Sequence, residues 1–264
     1  MKAVILVGGF GTRLRPLTLC VPKQMLPMGG VTMLQRVVEH LGGLGVEEVV
    51  LSLGYQPEVF LREFPDGEIA GVPVRYAVEP EPLDTGGAIA FAARDAGIDD
   101  TFLALNGDVL TDLDVGDLWR FHQQAGGAAT IALTKVDDPS RYGVVPLSGD
   151  GRVEAFIEKP DPGTAPTHWI NAGTYVLEPE VIDLVPIGSR RSIEREIFPS
   201  LVEQGRLFGL QAASYWIDAG TPEAYLQAHM DLLDGLRGSF EPAVHDTARI
   251  DAGAIISADS VRVV

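Results

Sequence analysis

The first 105 residues alternate between short apolar runs and segments in which apolar positions have helical spacing. Residues 2–8 form an almost continuous apolar run, which is typical of a central strand covered on both faces. The same pattern predicts further strands at 48–53, 73–78 and 101–105, and helices at 31–44, 57–64 and 87–96. Strands and helices in turn predict an α/β domain with a mostly parallel sheet and helices on both sides.

The second half of the chain has a pattern richer in β structure. A helix is expected at 114–125, followed by β segments at 128–136, 142–147, 152–157 and 170–177. These segments predict mixed or antiparallel pairings that extend the same core. Helices near 179–185, 192–204 and 222–236 complete a domain that we place at residues 1–238.

Composition and charge indicate a globular protein and argue against nucleic-acid binding. With 264 residues, of which 46% are hydrophobic and 22% charged, the chain can bury a sizeable core. Its formal charge of −17 argues against a nucleic-acid surface, which needs a clustered basic face. No apolar run reaches 18 residues and Cys20 is the single cysteine. We therefore expect a cytoplasmic protein with no membrane span, secretory signal or intrachain disulfide.

The first predicted strand leads into a glycine-rich turn that carries positive charge. The sequence GGFGTRLRPLT occupies 8–18, and PKQMLP follows at 22–27. Glycines lack Cβ atoms, so the backbone N–H groups of such a turn can approach phosphate oxygens closely. The turn therefore predicts a phosphorylated ligand, contacted by Gly8, Gly9, Gly11 and the side chains of Arg13 and Lys23.

The spacing of this turn excludes two common phosphate-binding loops. A dinucleotide fingerprint needs a glycine three positions after Gly11, where this chain has Leu14. A P-loop needs Gly-Lys followed by Ser or Thr, which is absent. Neither a Rossmann dehydrogenase nor a P-loop ATPase fits the sequence.

The two motifs together resemble the signature of the sugar nucleotidyltransferases, also called nucleoside-diphosphate-sugar pyrophosphorylases, and are most similar to their mannose-1-phosphate guanylyltransferase branch. The resemblance covers residues 1–235 and continues through motifs at 106–108, 141–145, 156–160, 169–173, 192–199 and 216–222. It implies a Rossmann-like (GT-A-like) domain. It also implies that a sugar 1-phosphate oxygen attacks the α-phosphorus of a nucleoside triphosphate. That nucleophile is already an anion, so the protein must supply positioning and charge neutralisation rather than a general base.

Four residues are the candidates for this chemistry. Arg13 offers a planar, permanently charged fork of donors for the triphosphate and the leaving pyrophosphate, and Lys23 a point charge for the α-phosphate. Arg15 is a weaker candidate, since it could equally pair with a surface carboxylate. Asp108 follows a predicted strand, and Asp218 is expected at a strand end within the motif at 216–222. By resemblance the two aspartates approach each other and hold Mg²⁺, which prefers hard oxygen ligands.

Recognition of the base is assigned by resemblance to the loop at 79–87. Glu79 could accept the N1–H and amino hydrogens of guanine, but it could also accept N3–H of uracil or thymine. Asp84 stands where relatives often have glycine. The glycines after it are expected to let the backbone approach the base or ribose. The complete predicted nucleotide site is Leu6, Gly8, Gly9, Gly11, Thr12, Arg13, Glu79, Asp84, Gly86, Gly87, Asn106 and Asp108.

The sugar phosphate is assigned to a second set of residues. Glu158 and Lys159 follow a predicted strand, where alternation would normally send neighbours to opposite faces. By resemblance, Glu158 accepts hydrogen bonds from sugar hydroxyls and Lys159 contacts the phosphate. Arg195 is either a further phosphate contact or an exposed helical charge. The remaining members of the predicted sugar site are Gly143, Asn171 and Gly173.

The segment at 239–264 has a different spacing of apolar residues, because Val244, Ile250 and Ile256 lie six residues apart. This spacing resembles the opening of a left-handed β-helix. A solenoid turn cannot bury its apolar edge alone, so we expect the tail to pack on the main domain or on another subunit of a homo-oligomer. A frayed or truncated end is the alternative interpretation.

The resemblance therefore implies that the chain makes GDP-mannose and pyrophosphate from GTP and mannose 1-phosphate with Mg²⁺. Thymidylyl or uridylyl transfer to glucose 1-phosphate is an alternative, since Gln24 directly after Lys23 resembles the thymidylyltransferases, whereas many guanylyl relatives have proline there. Guanylyl transfer to another sugar or cyclitol phosphate is also open. A non-catalytic paralogue that binds sugar nucleotides predicts the loss of a phosphate or metal residue, yet all four candidates are present.

Overall fold

The computed structural model describes residues 1–236, which form an α/β domain. Its strands are β1 Lys2–Leu6, β2 Pro27–Met28, β3 Val31–Thr32, β4 Glu48–Leu53, β5 Glu68–Ile69, β6 Val72–Val78, β7 Phe102–Asn106, β8 Val109–Thr111, β9 Ala129–Lys135, β10 Gly143–Val144, β11 Ile157–Glu158, β12 Trp169–Leu177, β13 Leu207–Gln211 and β14 Trp216–Asp218. Its α-helices are α1 Met33–Gly43, α2 Pro57–Glu63, α3 Asp84–Asp95, α4 Val115–Ala125, α5 Pro179–Asp183, α6 Phe198–Glu203 and α7 Pro222–Leu233.

The central sheet is mixed and mostly parallel, as the sequence predicts. β1 lies between β7 and β4 and is parallel to both, and β4 continues in parallel to β6. β12 runs antiparallel between β7 and β9, and β13 closes this side of the sheet in parallel to β9. The carboxyl ends of β1, β4 and β7 therefore meet at one edge, where open α/β sheets bind their ligands.

Both faces of the sheet are buried, which explains the continuous apolar run of β1. Ala3 and Ile5 face one core cluster, whereas Val4 between them faces the other. α1 covers the first face with an apolar stripe that includes Leu34 and Val38. α3 covers the second face with small residues, mostly alanine, which let the helix lie close to the strands.

Several predicted elements are shorter or differently built. The segments at 142–147 and 152–157 contain only the short strands β10 and β11. Between these strands, an isolated bridge joins Leu147 and Val153. The helix predicted at 192–204 divides into a π-helical turn, Ile193–Ile197, and then α6. Pro199, which has no N–H donor, lies in the first turn of α6, where that donor is not needed.

β13 is an element that the sequence pattern did not predict. Gly209 at its centre weakens the strand signal, but a Cβ atom there would lie 2.8 Å from Leu147 Cδ2. The glycine therefore serves close packing within the sheet. No helix of residues 1–236 is both long and apolar enough to cross a membrane. The predicted β-helix-like tail at 239–264, with its expected self-association, lies outside the described residues.

Candidate active site

A cavity of about 930 Å³ opens at the carboxyl edge of the parallel strands. It is lined by residues from widely separated parts of the chain, most of which the sequence predicted as ligand contacts. The predicted residues in its lining are Leu6, Gly8, Gly9, Arg13, Lys23, Asp84, Asn106, Asp108, Gly143, Glu158, Lys159, Asn171, Gly173, Arg195 and Asp218. The structure thus brings the predicted phosphate, metal and sugar residues to one cavity.

The glycine-rich turn folds back on itself beside this cavity. Gly11 has φ +59°, and a Cβ atom there would lie 3.0 Å from Thr18 Cγ2. The Thr18 hydroxyl donates a hydrogen bond of 2.6 Å to the Gly11 carbonyl. A 3₁₀ turn, Thr12–Leu14, follows, in which Leu14 is buried and the Arg13 side chain is exposed. Gly11 and Thr12 therefore shape the turn without lining the cavity themselves.

Each of the two predicted cations lies next to one of the two predicted metal ligands. Lys23 Nζ contacts Asp108 Oδ2, and both side chains are largely buried. Arg13 Nη2 lies 3.9 Å from Asp218 Oδ2, with a side chain that is 60% exposed. A Cβ atom on Gly220 would come within 2.9 Å of Arg13 Nη2, so this glycine makes room for the guanidinium.

The pairing of two short strands brings the aspartates together. β14 pairs with β8 in an antiparallel register that places Asp218 opposite Val109. The Ala219 N–H donates a hydrogen bond of 3.1 Å to the Asp108 carbonyl, which fixes the ends of the two strands. Burial raises the pKa of the Asp218 carboxyl and the nearby Asp108 carboxylate raises it further, whereas Arg13 and Lys23 lower it.

This donor set fits a divalent cation completed by substrate. Residues 1–236 contain no group of three or more His, Cys, Asp or Glu side chains arranged to hold a metal. Mg²⁺ does not need such a cage, because it is commonly bound by one or two carboxylates together with substrate phosphates and waters. The opposed carboxylates of Asp108 and Asp218 supply that minimal set, and their mutual repulsion favours a bound cation.

Glu158 and Lys159 both line the cavity, contrary to the alternation expected after a strand. Lys159 has φ +49°, which turns the backbone out of the extended conformation directly after β11. Its Nζ atom consequently lies 3.4 Å from Glu158 Oε1. Gly143 pairs with Glu158 across β10 and β11. The Gly143 backbone and the side chains of Glu158 and Lys159 therefore lie on the same wall of the cavity.

Asn171 and Gly173 lie at an irregularity of β12. The register with β9 shifts between Asn171 and Tyr175. The Asn171 amide donates to the Tyr175 hydroxyl at 2.9 Å, and its oxygen accepts from the Gly173 N–H at 2.9 Å. These bonds hold the Asn171 side chain in place, and Gly173, at φ +75°, packs against Asn106.

We predict that Gly173→Ala destabilises the protein and lowers its activity. A residue with a Cβ atom is strained at the left-handed φ value of this position. The added Cβ would also lie 2.6 Å from Asn106 Nδ2 in the cavity wall. The strain alone is on the order of 1–3 kcal/mol. Gly163→Ala is the matched control, since Gly163 has φ +79° but no neighbour within 4 Å of its Cβ position. Urea unfolding and turnover of both variants would measure the difference, and equal effects would contradict a role for the Asn106 contact.

Glu79 lies behind the glycine turn rather than in the cavity lining. Its Oε1 accepts from the Ser52 hydroxyl at 2.9 Å and its Oε2 from the Leu83 N–H at 3.1 Å. A Cβ atom on Gly8 would be 3.3 Å from Glu79 Oε1. The carboxylate is therefore oriented by the protein beside the strand end that carries Gly8, and reading of the base by Glu79 stays a prediction.

Gly86 and Gly87 have a packing role that the sequence pattern did not indicate. A Cβ atom on Gly86 would lie 3.0 Å from the Ile193 nitrogen, and one on Gly87 would lie 2.7 Å from the Ser189 carbonyl oxygen. Both positions face the backbone of the segment at 189–193 and neither lines the cavity. They let α3 approach this segment closely, and the expected approach of this backbone to the base or ribose stays a prediction.

The cavity also contains polar residues that the sequence reasoning did not assign. Gln24 is buried, and its Oε1 has no hydrogen-bond partner among residues 1–236. Most of the others lie in the same motif as an assigned residue, and this shared motif is the signal that could have found them. They are Thr85, Arg141, Tyr142, Ser192, Glu194, Trp216, Thr221 and Glu223.

Comparison with known proteins agrees with the fold. The nucleotidyl transferase family matches residues 2–235. The chain is 44% identical to the mannose-1-phosphate guanylyltransferase of Mycobacterium tuberculosis, covering 99% of this chain and 74% of that protein. It is 42% identical to the mannose-1-phosphate guanyltransferase of Kluyveromyces lactis, covering 89% of this chain and 66% of that protein.

A solved structure gives the same result for the fold. HddC from Yersinia pseudotuberculosis, crystallised as a complex with GMP-PN, superposes with a TM-score of 0.75 and 32% sequence identity. The superposition covers 87% of this chain and 98% of that one. The expected Rossmann-like nucleotidyltransferase fold is therefore confirmed for the described domain.

Proposed function

The chain belongs to the nucleotidyl transferase family, and from this premise we propose that it transfers a guanylyl group from GTP to mannose 1-phosphate. The products are GDP-mannose and pyrophosphate. The observation that carries the proposal is the single cavity in which Arg13, Lys23, Asp108 and Asp218 meet the wall formed by Glu158 and Asn171. Relatives with the same named activity, at 42–44% identity, support the choice of substrates.

The protein's own groups act by position and charge. The glycine turn and Arg13 bind the triphosphate and orient its leaving pyrophosphate, and Lys23 neutralises the α-phosphate. Glu158 and Asn171 orient the sugar, so that an oxygen of its phosphate faces the α-phosphorus. Because the nucleophile is already ionised, no residue needs to accept a proton.

Asp108 and Asp218 would hold Mg²⁺. When bound, the ion neutralises charge on the phosphates and fixes their geometry. Without it, each carboxylate has a cation of the protein as its neighbour, Lys23 for Asp108 and Arg13 for Asp218. The aspartates therefore keep these two cations close to the place where the phosphates bind.

The choice of base is the part of the proposal that most needs a test. Glu79 can accept both N1–H and amino hydrogens of guanine, which favours GTP. A second candidate is thymidylyl transfer to glucose 1-phosphate, because a glutamine directly after Lys23 resembles the thymidylyltransferases. That residue, Gln24, is buried in the cavity wall with an unpaired Oε1. The unpaired acceptor itself indicates a cavity that a polar ligand completes.

We expect pyrophosphate release with GTP, mannose 1-phosphate and Mg²⁺ to exceed that of every other pair of substrates. The assay incubates the protein with each common nucleoside triphosphate and a panel of hexose, heptose and cyclitol 1-phosphates. Faster release with dTTP and glucose 1-phosphate would favour the second candidate. Release with no pair would contradict catalysis and favour a binding-only paralogue.

A further inference from the structure

Two residues at the cavity have a backbone conformation that is unusual for side chains with a Cβ atom. Among residues 1–236, four non-glycine residues have positive φ values, and two of them, Asp84 and Lys159, line the cavity. Asp84, at φ +61°, is the first residue of α3. Such a conformation persists where surrounding contacts hold it, and it is often found at functional sites.

The contacts of the Asp84 carboxylate are with its own helix and with an arginine across the cavity rim. Oδ1 accepts from the Thr85 N–H at 2.9 Å. Oδ2 accepts from Arg195 Nη2 at 3.0 Å, and Arg190 Nε lies 3.9 Å from the same oxygen. The Asp84 side chain is 20% exposed and that of Arg195 is 63% exposed. A mostly buried acid therefore holds a mostly exposed cation at the rim.

The two backbone segments that carry this pair are joined independently of it. The Thr85 hydroxyl donates to Glu194 Oε2 at 2.6 Å and accepts from the Ile193 N–H at 3.0 Å. The Gly87 N–H donates to the Arg191 carbonyl at 3.0 Å. These bonds hold the start of α3 against residues 191–194. The Asp84–Arg195 hydrogen bond is therefore not needed to join the two segments, and its effect is to orient the Arg195 side chain.

Arg195 lines the same cavity as the predicted sugar residues Glu158, Lys159 and Asn171. Its neighbour Glu194 and the sugar-wall residue Glu158 both act on the buried Tyr175 hydroxyl, whose pKa burial raises well above its usual value, the two carboxylates adding to the rise. The same hydroxyl accepts a hydrogen bond from Asn171. A cation held here can donate to an anionic group carried by the sugar.

We propose that Asp84 is a positioning residue that holds the Arg195 guanidinium towards the phosphate of the sugar 1-phosphate. The inference rests on the proposed function, since it assigns that phosphate as the anion. Arg195 uses one Nη2 donor on Asp84, which leaves other donors of its fork for the ligand. Fixing a long, exposed side chain before binding avoids part of the entropy cost of ordering it in the complex.

The test compares Asp84→Asn, Arg195→Gln and the double variant. Asparagine tolerates the left-handed conformation and keeps the local acceptor, but it removes the charge. We expect Asp84→Asn to raise KM for mannose 1-phosphate about tenfold, with kcat and KM for GTP changed less than about twofold. The double variant should resemble Arg195→Gln alone, because Asp84 acts through Arg195.

Further variants separate positioning from folding. Asp84→Gly removes the carboxylate and suits the positive φ, so it should raise the same KM without lowering Tm. Asp117→Asn is the matched control, since it breaks an exposed Asp–Arg pair outside the active site. An unchanged KM for mannose 1-phosphate in Asp84→Asn, a rise confined to KM for GTP, or additive effects in the double variant would overturn the proposal.

Calorimetric titration with mannose 1-phosphate distinguishes this inference from the proposed function. Binding that weakens in Asp84→Asn, in a protein that releases no pyrophosphate, would contradict the transferase function and support the positioning role. Turnover with binding that is indifferent to Asp84 would contradict the positioning role alone. Absence of both binding and turnover in the unmodified protein would overturn both.

Discussion

Arg13→Ala should lower pyrophosphate release by about 10²- to 10³-fold while the protein folds normally. The arginine lines the cavity through an exposed side chain, and the fold around it is held by other contacts, such as the Thr18–Gly11 hydrogen bond. Its planar fork of donors is placed to meet charge on the triphosphate and on the leaving pyrophosphate. Steady-state turnover with GTP and mannose 1-phosphate, together with Tm, measures both parts of the expectation.

Two further arginine variants make this result specific. Arg13→Lys keeps the charge but loses the fork, so its activity should fall between those of the unmodified protein and Arg13→Ala. Arg15, two positions along, is exposed and lies outside the cavity lining, so Arg15→Ala should stay near full activity. Turnover of Arg13→Ala close to that of the unmodified protein would show that other groups neutralise the charge on the triphosphate and the leaving pyrophosphate.

The parts of the fold that the sequence predicts well are those with a local signal. β4 occupies Glu48–Leu53, as predicted, because its apolar run follows Glu47 and Glu48 and ends before Gly54. Asp108 lies two positions after the last residue of β7, so its place at the carboxyl edge follows from the parallel sheet. These positions depend on nothing farther away than the next strand.

The parts that the sequence could not predict depend on contacts between distant segments. The alternation rule failed at Lys159 because a positive φ redirects one side chain, and nothing in the local pattern marks it. Gly86 and Gly87 resemble a ligand-binding turn locally, yet their neighbours are residues 189–193. Asp218 reaches Asp108 through the β14–β8 pairing, which was not predicted; the resemblance to relatives implied only that the two aspartates approach each other.

The charge of the cavity explains how an acidic protein can bind polyphosphate. The whole chain has a formal charge of −17, but the cavity wall carries nearly equal numbers of cationic and acidic side chains. The cations are Arg13, Lys23, Arg141, Lys159 and Arg195, and the acids are Asp84, Asp108, Glu158, Glu194, Asp218 and Glu223. The lining is therefore close to neutral whereas the whole chain is strongly acidic, so a phosphate meets much less repulsion in the cavity than over the rest of the surface.

Asp218→Asn should lower activity by about 10²- to 10³-fold and, in metal-free buffer, make the protein more stable at neutral pH. Burial and the Asp108 carboxylate raise the pKa of Asp218, so the folded protein binds its proton more tightly than the unfolded chain does. Stability contributed by that proton is present at low pH and is lost as pH rises through the raised pKa. Asparagine does not titrate and avoids this loss.

The pH dependence separates this explanation from a general effect of the substitution. In the presence of a chelator, the Tm advantage of Asp218→Asn should shrink as pH falls below the raised pKa, where Asp218 itself is protonated. Added Mg²⁺ should raise the Tm of the unmodified protein more than that of the variant, since binding to the native state stabilises it. A Tm difference independent of pH, or equal Mg²⁺ responses, would mean that Asp218 is held by other contacts and that the pair of carboxylates does not form the cation site.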